Sequence, residues 1–80
     1  MSTLPTLKPR EVEQMLFNAG FIPDTSKGSH RTYYHAEKRL HATVAFHPGD
    51  VPIGTLRSII KQSGMQPNEF LAYKKKKKSP

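Results

Sequence analysis

The chain has 80 residues, a length that suits one domain with one small hydrophobic core. It contains no cysteine, which excludes disulfides, a thiolate nucleophile and zinc sites with sulfur ligands. The formal net charge is +7 and most basic residues follow residue 26, a balance that favours a polyanionic partner such as nucleic acid. Apolar runs fall far short of the ~20 residues that span a bilayer, and residues 1–10 lack the apolar core of a signal peptide. We therefore expect a soluble, cytoplasmic protein with no membrane contact.

Residues 1–7 are predicted to form a flexible lead-in, because threonine and proline interrupt any helical or strand periodicity. A first helix is predicted to begin at Lys8 or Pro9, since proline suits the first helical position. Glu11 and Glu13 fall in its first turns, where the helix dipole favours carboxylates. Gly20 is expected to end the helix. One buried stripe follows helical spacing and contains Val12, Met15, Leu16 and Ala19.

Three short strands are predicted next. The first is "FIPDT", followed by a turn at Lys27-Gly28. Residues 29–36 and 40–47 form a hairpin across "AEKR". In the second of these runs, one face is apolar and is expected to enter the core: Leu40, Ala42, Val44 and Phe46. In the first run neither alternating set is purely apolar, so the pattern does not decide which face is buried.

A second helix is predicted in "TLRSIIKQSG", with Thr55 as a possible N-cap and Gly64 closing it. Pro67 is expected to start a short third helix in "QPNEFLAY". The order predicts an α+β fold with two layers, in which helices cover one face of an antiparallel three-stranded sheet. The domain is assigned to residues 8–72. Residues 73–80 form a basic tail, read as a solvated end, with phosphate binding as the alternative.

Four motifs now stand in order along the chain: "GF" at 20–21, "KGSH" at 27–30, "TVAFHPGD" at 43–50 and "PIGTLRSIIKQSGM" at 52–65. Their order and spacing resemble the HicA toxin family of type II toxin–antitoxin systems. The resemblance spans residues 8–71 and implies a fold similar to a double-stranded-RNA-binding domain. Two departures from the family pattern lie near these motifs: Thr25-Ser26 precede the Lys-Gly-Ser turn, and Ala45 replaces a frequent proline.

The resemblance also implies a function, namely endoribonuclease cleavage of mRNA without the ribosome. The family's functional histidine corresponds to His30, its substrate is mRNA, and its partner is a cognate HicB-type antitoxin that covers the active site. No cofactor and no metal are expected. The competing hypothesis is a noncatalytic RNA-binding module on the same scaffold.

The residues around the motif suit this chemistry. Metal-independent cleavage needs a base for the 2′-hydroxyl proton, an acid for the leaving oxygen, and donors for the charge on the phosphorus centre. Histidine titrates near neutral pH and suits either proton role. Lys27 and the N–H groups of Gly28 and Ser29 are candidate phosphate ligands, and Arg31 or Lys61 is a candidate for flanking phosphates.

Structural alternatives stand beside each of these assignments. On strand pattern alone His30 is a polar strand residue, and Lys27 is equally well a solvated turn lysine. Tyr33 and Tyr34 are favoured as sheet-packing residues over base-stacking ones. His47 is read as a loop anchor, with a second proton-transfer role as the alternative. His35 and His41 are expected on the surface, and no carboxylate or cysteine completes a metal-ligand set with the histidines.

Overall fold

The structure is a computed structural model that describes residues 4–74. The predicted order of one helix, three strands and two helices is confirmed. None of the helices in this range is long or apolar enough to cross a membrane. The elements are α1 (Pro9–Asn18), β1 (Ile22–Lys27), β2 (His30–His35), β3 (Leu40–Ala45), α2 (Ile53–Gln62) and α3 (Pro67–Ala72).

The three strands form one antiparallel sheet in the order β1-β2-β3, so β2 is central. Two tight hairpins connect them, one through residues 28–29 and one through residues 36–39. The β1–β2 register shifts between Pro23 and Thr25, which leaves Asp24 as the extra residue of a bulge. Residues that are paired across the strands share a face of the sheet, so the register assigns every side chain to one of two faces.

Within residues 4–74, helices cover only one of these faces, which confirms the two-layer α+β prediction. On the covered face the central strand contributes Tyr33, which is 1% exposed, and β3 contributes Ala42 and Val44. The open face carries the alternate residues of β2 and β3, and every residue of β1 is exposed. The sheet therefore has one face packed into the core and one face exposed to solvent.

The hydrophobic core extends beyond the residues that the helical stripes predicted. Leu7 is fully buried and Leu4 is nearly so, although both lie in the predicted lead-in. The N–H of Val51 donates a 2.7 Å hydrogen bond to the Leu7 carbonyl, which ties this segment to the loop before α2. At the end of α1, the Asn18 amide donates to the Tyr73 carbonyl at 2.8 Å. The tail residues 75–80 lie outside the described part of the chain.

The start of α2 corrects the predicted N-cap. The helix begins at Ile53 with Pro52 as the N-cap residue, and Thr55 lies inside the first turn. Pro52 has φ −58° and an extended ψ of 145°, and its carbonyl accepts the N–H of Leu56 at 2.8 Å. Because the proline ring already fixes φ, the backbone enters the helix there without a side-chain cap.

His35 corrects a second prediction, because it is buried rather than on the surface. Its ring packs edge-on against Phe21 with centroids 5.1 Å apart. Its Nδ1 accepts the N–H of Lys38 at 3.3 Å, which satisfies one ring nitrogen within the 36–39 turn. His35 is therefore a structural residue of the sheet's far end.

Candidate active site

The first hairpin turn brings the predicted site residues together. Lys27 ends β1, Gly28 and Ser29 form the turn, and His30 begins β2. Gly28 has φ +61°, a backbone conformation that side chains with a Cβ adopt only with strain. Lys27 and His30 are direct register partners, so their side chains leave the same face of the sheet.

The third strand supports this turn from the other side. His30 pairs with Ala45, and the N–H of Phe46 donates a 2.7 Å hydrogen bond to the Ser29 carbonyl. The neighbour of His30 on this side is only a methyl group, and His30 itself is exposed. One row of the open face therefore consists of Lys27, His30 and Ala45, with the imidazole in the middle.

Arg31 lies on the opposite face, because side chains alternate along β2. Its Nη1 lies 3.3 Å from the Glu13 carboxylate, and its guanidinium lies 4.1 Å from the centre of the Phe46 ring. About half of the Arg31 side chain remains exposed. The five predicted site residues thus divide into Lys27, Gly28, Ser29 and His30 at the turn, and Arg31 on the helical side.

Glu13 is a residue whose role sequence reasoning missed. Besides contacting Arg31, its Oε2 accepts the Tyr33 hydroxyl at 2.6 Å. Burial and this hydrogen bond raise the pKa of Tyr33 well above the ordinary value for tyrosine. The helical pattern identified Glu13 only as a carboxylate in the first turns of α1. No local sequence signal links it to Arg31 and Tyr33, which follow it by 18 and 20 positions.

A second cluster on the open face was also missed. The rings of Tyr34 and His41 lie 4.6 Å apart at an interplanar angle of 35°. The Asp24 carboxylate at the bulge lies 3.5 Å from His41 Nε2. Strand alternation placed His41 on this face, but the pairing with Tyr34 depends on the register between β2 and β3.

His47 is exposed in the loop after β3, with its Nδ1 3.0 Å from the Pro48 carbonyl oxygen. Among residues 4–74, no group of three or more histidine, cysteine, aspartate or glutamate side chains is arranged to hold a metal ion.

Comparison with known protein families matches most of the chain to a family model. The family model described as HicA toxin of bacterial toxin-antitoxin matches residues 9–65, which is more than half of the chain. The matched range runs from α1 to the end of α2 and includes the turn with His30. A comparison with curated proteins found no match. The chain therefore belongs to the HicA toxin family and is the toxin component of a bacterial toxin–antitoxin pair.

Proposed function

We propose that this toxin is an mRNA interferase, a metal-independent endoribonuclease in which His30 is the catalytic residue. One observation carries the proposal. His30 is an exposed histidine on the open sheet face, next to Lys27 and directly after a Gly-Ser turn, in a chain of the HicA family. An exposed imidazole beside a cation is suited to meet a phosphate and transfer a proton.

The reaction consists of attack by the RNA 2′-hydroxyl on the adjacent phosphorus. A bond forms between O2′ and phosphorus, and the bond between phosphorus and O5′ breaks. The 2′-hydroxyl proton goes to a base, and the leaving O5′ receives a proton from an acid. His30 performs one of these two transfers. The products are a 2′,3′-cyclic phosphate and a 5′-hydroxyl end.

The turn residues supply the phosphate-binding part of the proposal. Lys27 lies across from His30 and brings a positive charge to the scissile phosphate. The N–H groups of Gly28 and Ser29 are proposed to bind phosphate oxygens. Arg31 is proposed to bind a flanking phosphate on the other side of β2. On that side its guanidinium also forms an ion pair with Glu13.

The proposed antitoxin is a HicB-type protein that covers His30. Because no helix within residues 4–74 lies over the open face, a protein that binds this face excludes RNA from the turn. Binding of the two ligands is then mutually exclusive, and the antitoxin neutralises the toxin by occupying the site.

His30→Ala tests the enzyme proposal directly. We expect the full chain to cleave RNA in EDTA and to leave 2′,3′-cyclic phosphate ends, and the His30→Ala variant to lose this activity while keeping its circular dichroism spectrum. His47→Ala is the matched comparison, because it removes another exposed histidine, and we expect it to retain cleavage. Full activity of His30→Ala overturns the assignment, and RNA binding without any cleavage product favours the noncatalytic RNA-binding module.

A further inference from the structure

The open face of the sheet has three successive cross-strand rows. The first is Lys27, His30 and Ala45, and the second is Thr25, Thr32 and Thr43. The third row is Ile22, Tyr34 and His41, at the end of the sheet away from the turn. All three rows face the same side, which continues the surface that carries His30.

We propose that Tyr34 and His41 form a stacking subsite for an unpaired base of the RNA strand whose phosphate lies at His30. This inference rests on the proposed function, because it extends the same site along the same substrate. The occupant is single-stranded RNA, recognised by the flat face of one base.

The local geometry suits a base-stacking platform. Tyr34 is only partly buried and His41 is exposed, so ring surface is available to a ligand. The two rings support each other at 4.6 Å, and Asp24 lies within 3.5 Å of His41 Nε2. Ile22 is 56% exposed beside Tyr34 and adds apolar surface to the same row. Exposed aromatic side chains, including tyrosine and histidine, bind unpaired bases by stacking in other RNA-binding proteins.

The distance along the strand sets which base is bound. Tyr34 lies four residues after His30, which corresponds to ~13 Å at ~3.3 Å per strand residue. Successive rows are two residues apart along β2, which is ~6.6 Å. This is close to the separation of successive phosphates in a fully extended RNA strand. The Oγ1 atoms of Thr32 and Thr43, 3.2 Å apart, lie in the middle row and offer hydroxyl groups to the backbone between the two positions. The stacked base is therefore two nucleotides from the scissile phosphate.

Charge and shape favour unpaired RNA over a duplex on this face. Lys27 at one end and a chain net charge of +7 attract a polyanion. In a duplex the base faces are stacked on one another and cannot reach Tyr34. An extended single strand has both its phosphates and its base faces available, so it can use the first and third rows together.

The binding test uses the full chain with His30→Ala, so that labelled RNA stays intact during fluorescence anisotropy. Adding Tyr34→Leu removes the ring, and we expect single-stranded RNA affinity to fall roughly 5- to 100-fold. Tyr34→Phe keeps the ring and should bind within about 2-fold of the parent, because the hydroxyl is not needed for stacking. His41→Ala provides a second probe should Tyr34→Leu fold poorly. Duplex RNA of the same sequence should respond little to these changes.

The position of the base is tested with single abasic nucleotides placed in turn along the oligonucleotide. We expect one position, two nucleotides from the cleavage site, to lose affinity, and Tyr34→Leu to abolish that loss. Equal losses at all positions, or Tyr34→Leu binding RNA like the parent, overturns the subsite. Unchanged RNA binding together with weakened antitoxin binding assigns the surface to a protein partner and also overturns it.

The two proposals fail separately. If RNA is cleaved through His30 but Tyr34→Leu and His41→Ala have no effect on affinity, only the subsite is wrong. If RNA is never cleaved but affinity depends on the Tyr34 ring, only the enzyme proposal is wrong.

Discussion

The Tyr33 hydroxyl donates a 2.6 Å hydrogen bond to Glu13 Oε2, which joins the central strand to α1. Tyr33 is 1% exposed, and its ring packs edge-on against Phe17 with centroids 5.6 Å apart. The same carboxylate lies 3.3 Å from the Arg31 guanidinium, one residue after His30. One carboxylate of α1 thus contacts both Arg31 and Tyr33, the two residues that follow His30 on the covered face of β2.

Tyr33→Phe should lower the free energy of unfolding by about 1.5–3 kcal/mol, because it removes a hydrogen bond to a charged group and leaves the ring in place. Urea denaturation at pH 7 measures the loss. Tyr34→Phe is the matched control, since its ring lies on the open face, and we expect a change within about 0.5 kcal/mol. Equal effects of the two substitutions would show that the Glu13 contact contributes nothing.

The stability difference between the wild type and Tyr33→Phe should depend on pH. Burial raises the pKa of Tyr33 in the folded protein above its unfolded value of about 10. Its contribution is therefore complete below pH ~10 and is lost as the pH rises toward the folded value. Denaturation curves from pH 8 to 11.5 should show the wild type losing stability more steeply than the phenylalanine variant above pH ~10. Parallel curves contradict the raised pKa.

Arg31 and Glu13 should be energetically coupled. A double-mutant cycle with Arg31→Ala and Glu13→Gln is expected to give about 0.5–1 kcal/mol of coupling, because Arg31 is half exposed while Glu13 is mostly covered.

The same variants test Arg31 as an RNA ligand. If Arg31 binds a flanking phosphate, Arg31→Ala weakens RNA binding, whereas Glu13→Gln releases the guanidinium and does not weaken it. Loss of RNA affinity in both variants instead indicates that the pair acts by holding β2.

The elements of this fold were predictable because their signals are local. The apolar spacing of α1 and the Gly28 turn depend on residues close in sequence, and the turn also places Lys27 beside His30. The buried position of His35 was not predictable from the sequence, because both faces of β2 carry polar and aromatic side chains. His35 is buried because it pairs with Leu40 across the hairpin and packs against Phe21.

Contacts between distant segments account for what the sequence did not reveal about the site and core. Leu7 follows a proline and a threonine and has no periodic partners, and its burial depends on the loop at Val51. The link from Glu13 to Tyr33 joins a helix to a strand 20 residues later. Neither relationship leaves a pattern in a single sequence, because each depends on how the layers pack.

Gly64→Ala should destabilise the domain through two effects. Gly64 has φ +76°, where a non-glycine residue costs about 1–2 kcal/mol. An added Cβ would also lie 2.6 Å from Leu40 Cδ1, and moving that side chain off its rotamer costs about 0.5–1.5 kcal/mol more. Gly49→Ala is the control, because Gly49 has φ +95° and nothing within 4 Å of the added atom. Thermal and urea unfolding should rank Gly64→Ala below Gly49→Ala, and equal losses contradict the Leu40 contact.

Lys27→Ala should weaken RNA binding in a way that depends on salt. A lysine that binds one phosphate releases about one counterion, so its removal should reduce the slope of log K against log salt by about 0.7 for single-stranded RNA. Lys61→Ala is the matched control, because Lys61 is an exposed lysine on α2, in the layer opposite the open face. Because Lys61 lies in the helical layer, its removal changes net charge equally without taking away a phosphate contact on the open face. Titrations of the His30→Ala chain between about 50 and 200 mM salt measure both slopes. A smaller slope for Lys27→Ala alone identifies a local contact beside His30, whereas equal reductions mean that Lys27 acts only through the overall charge.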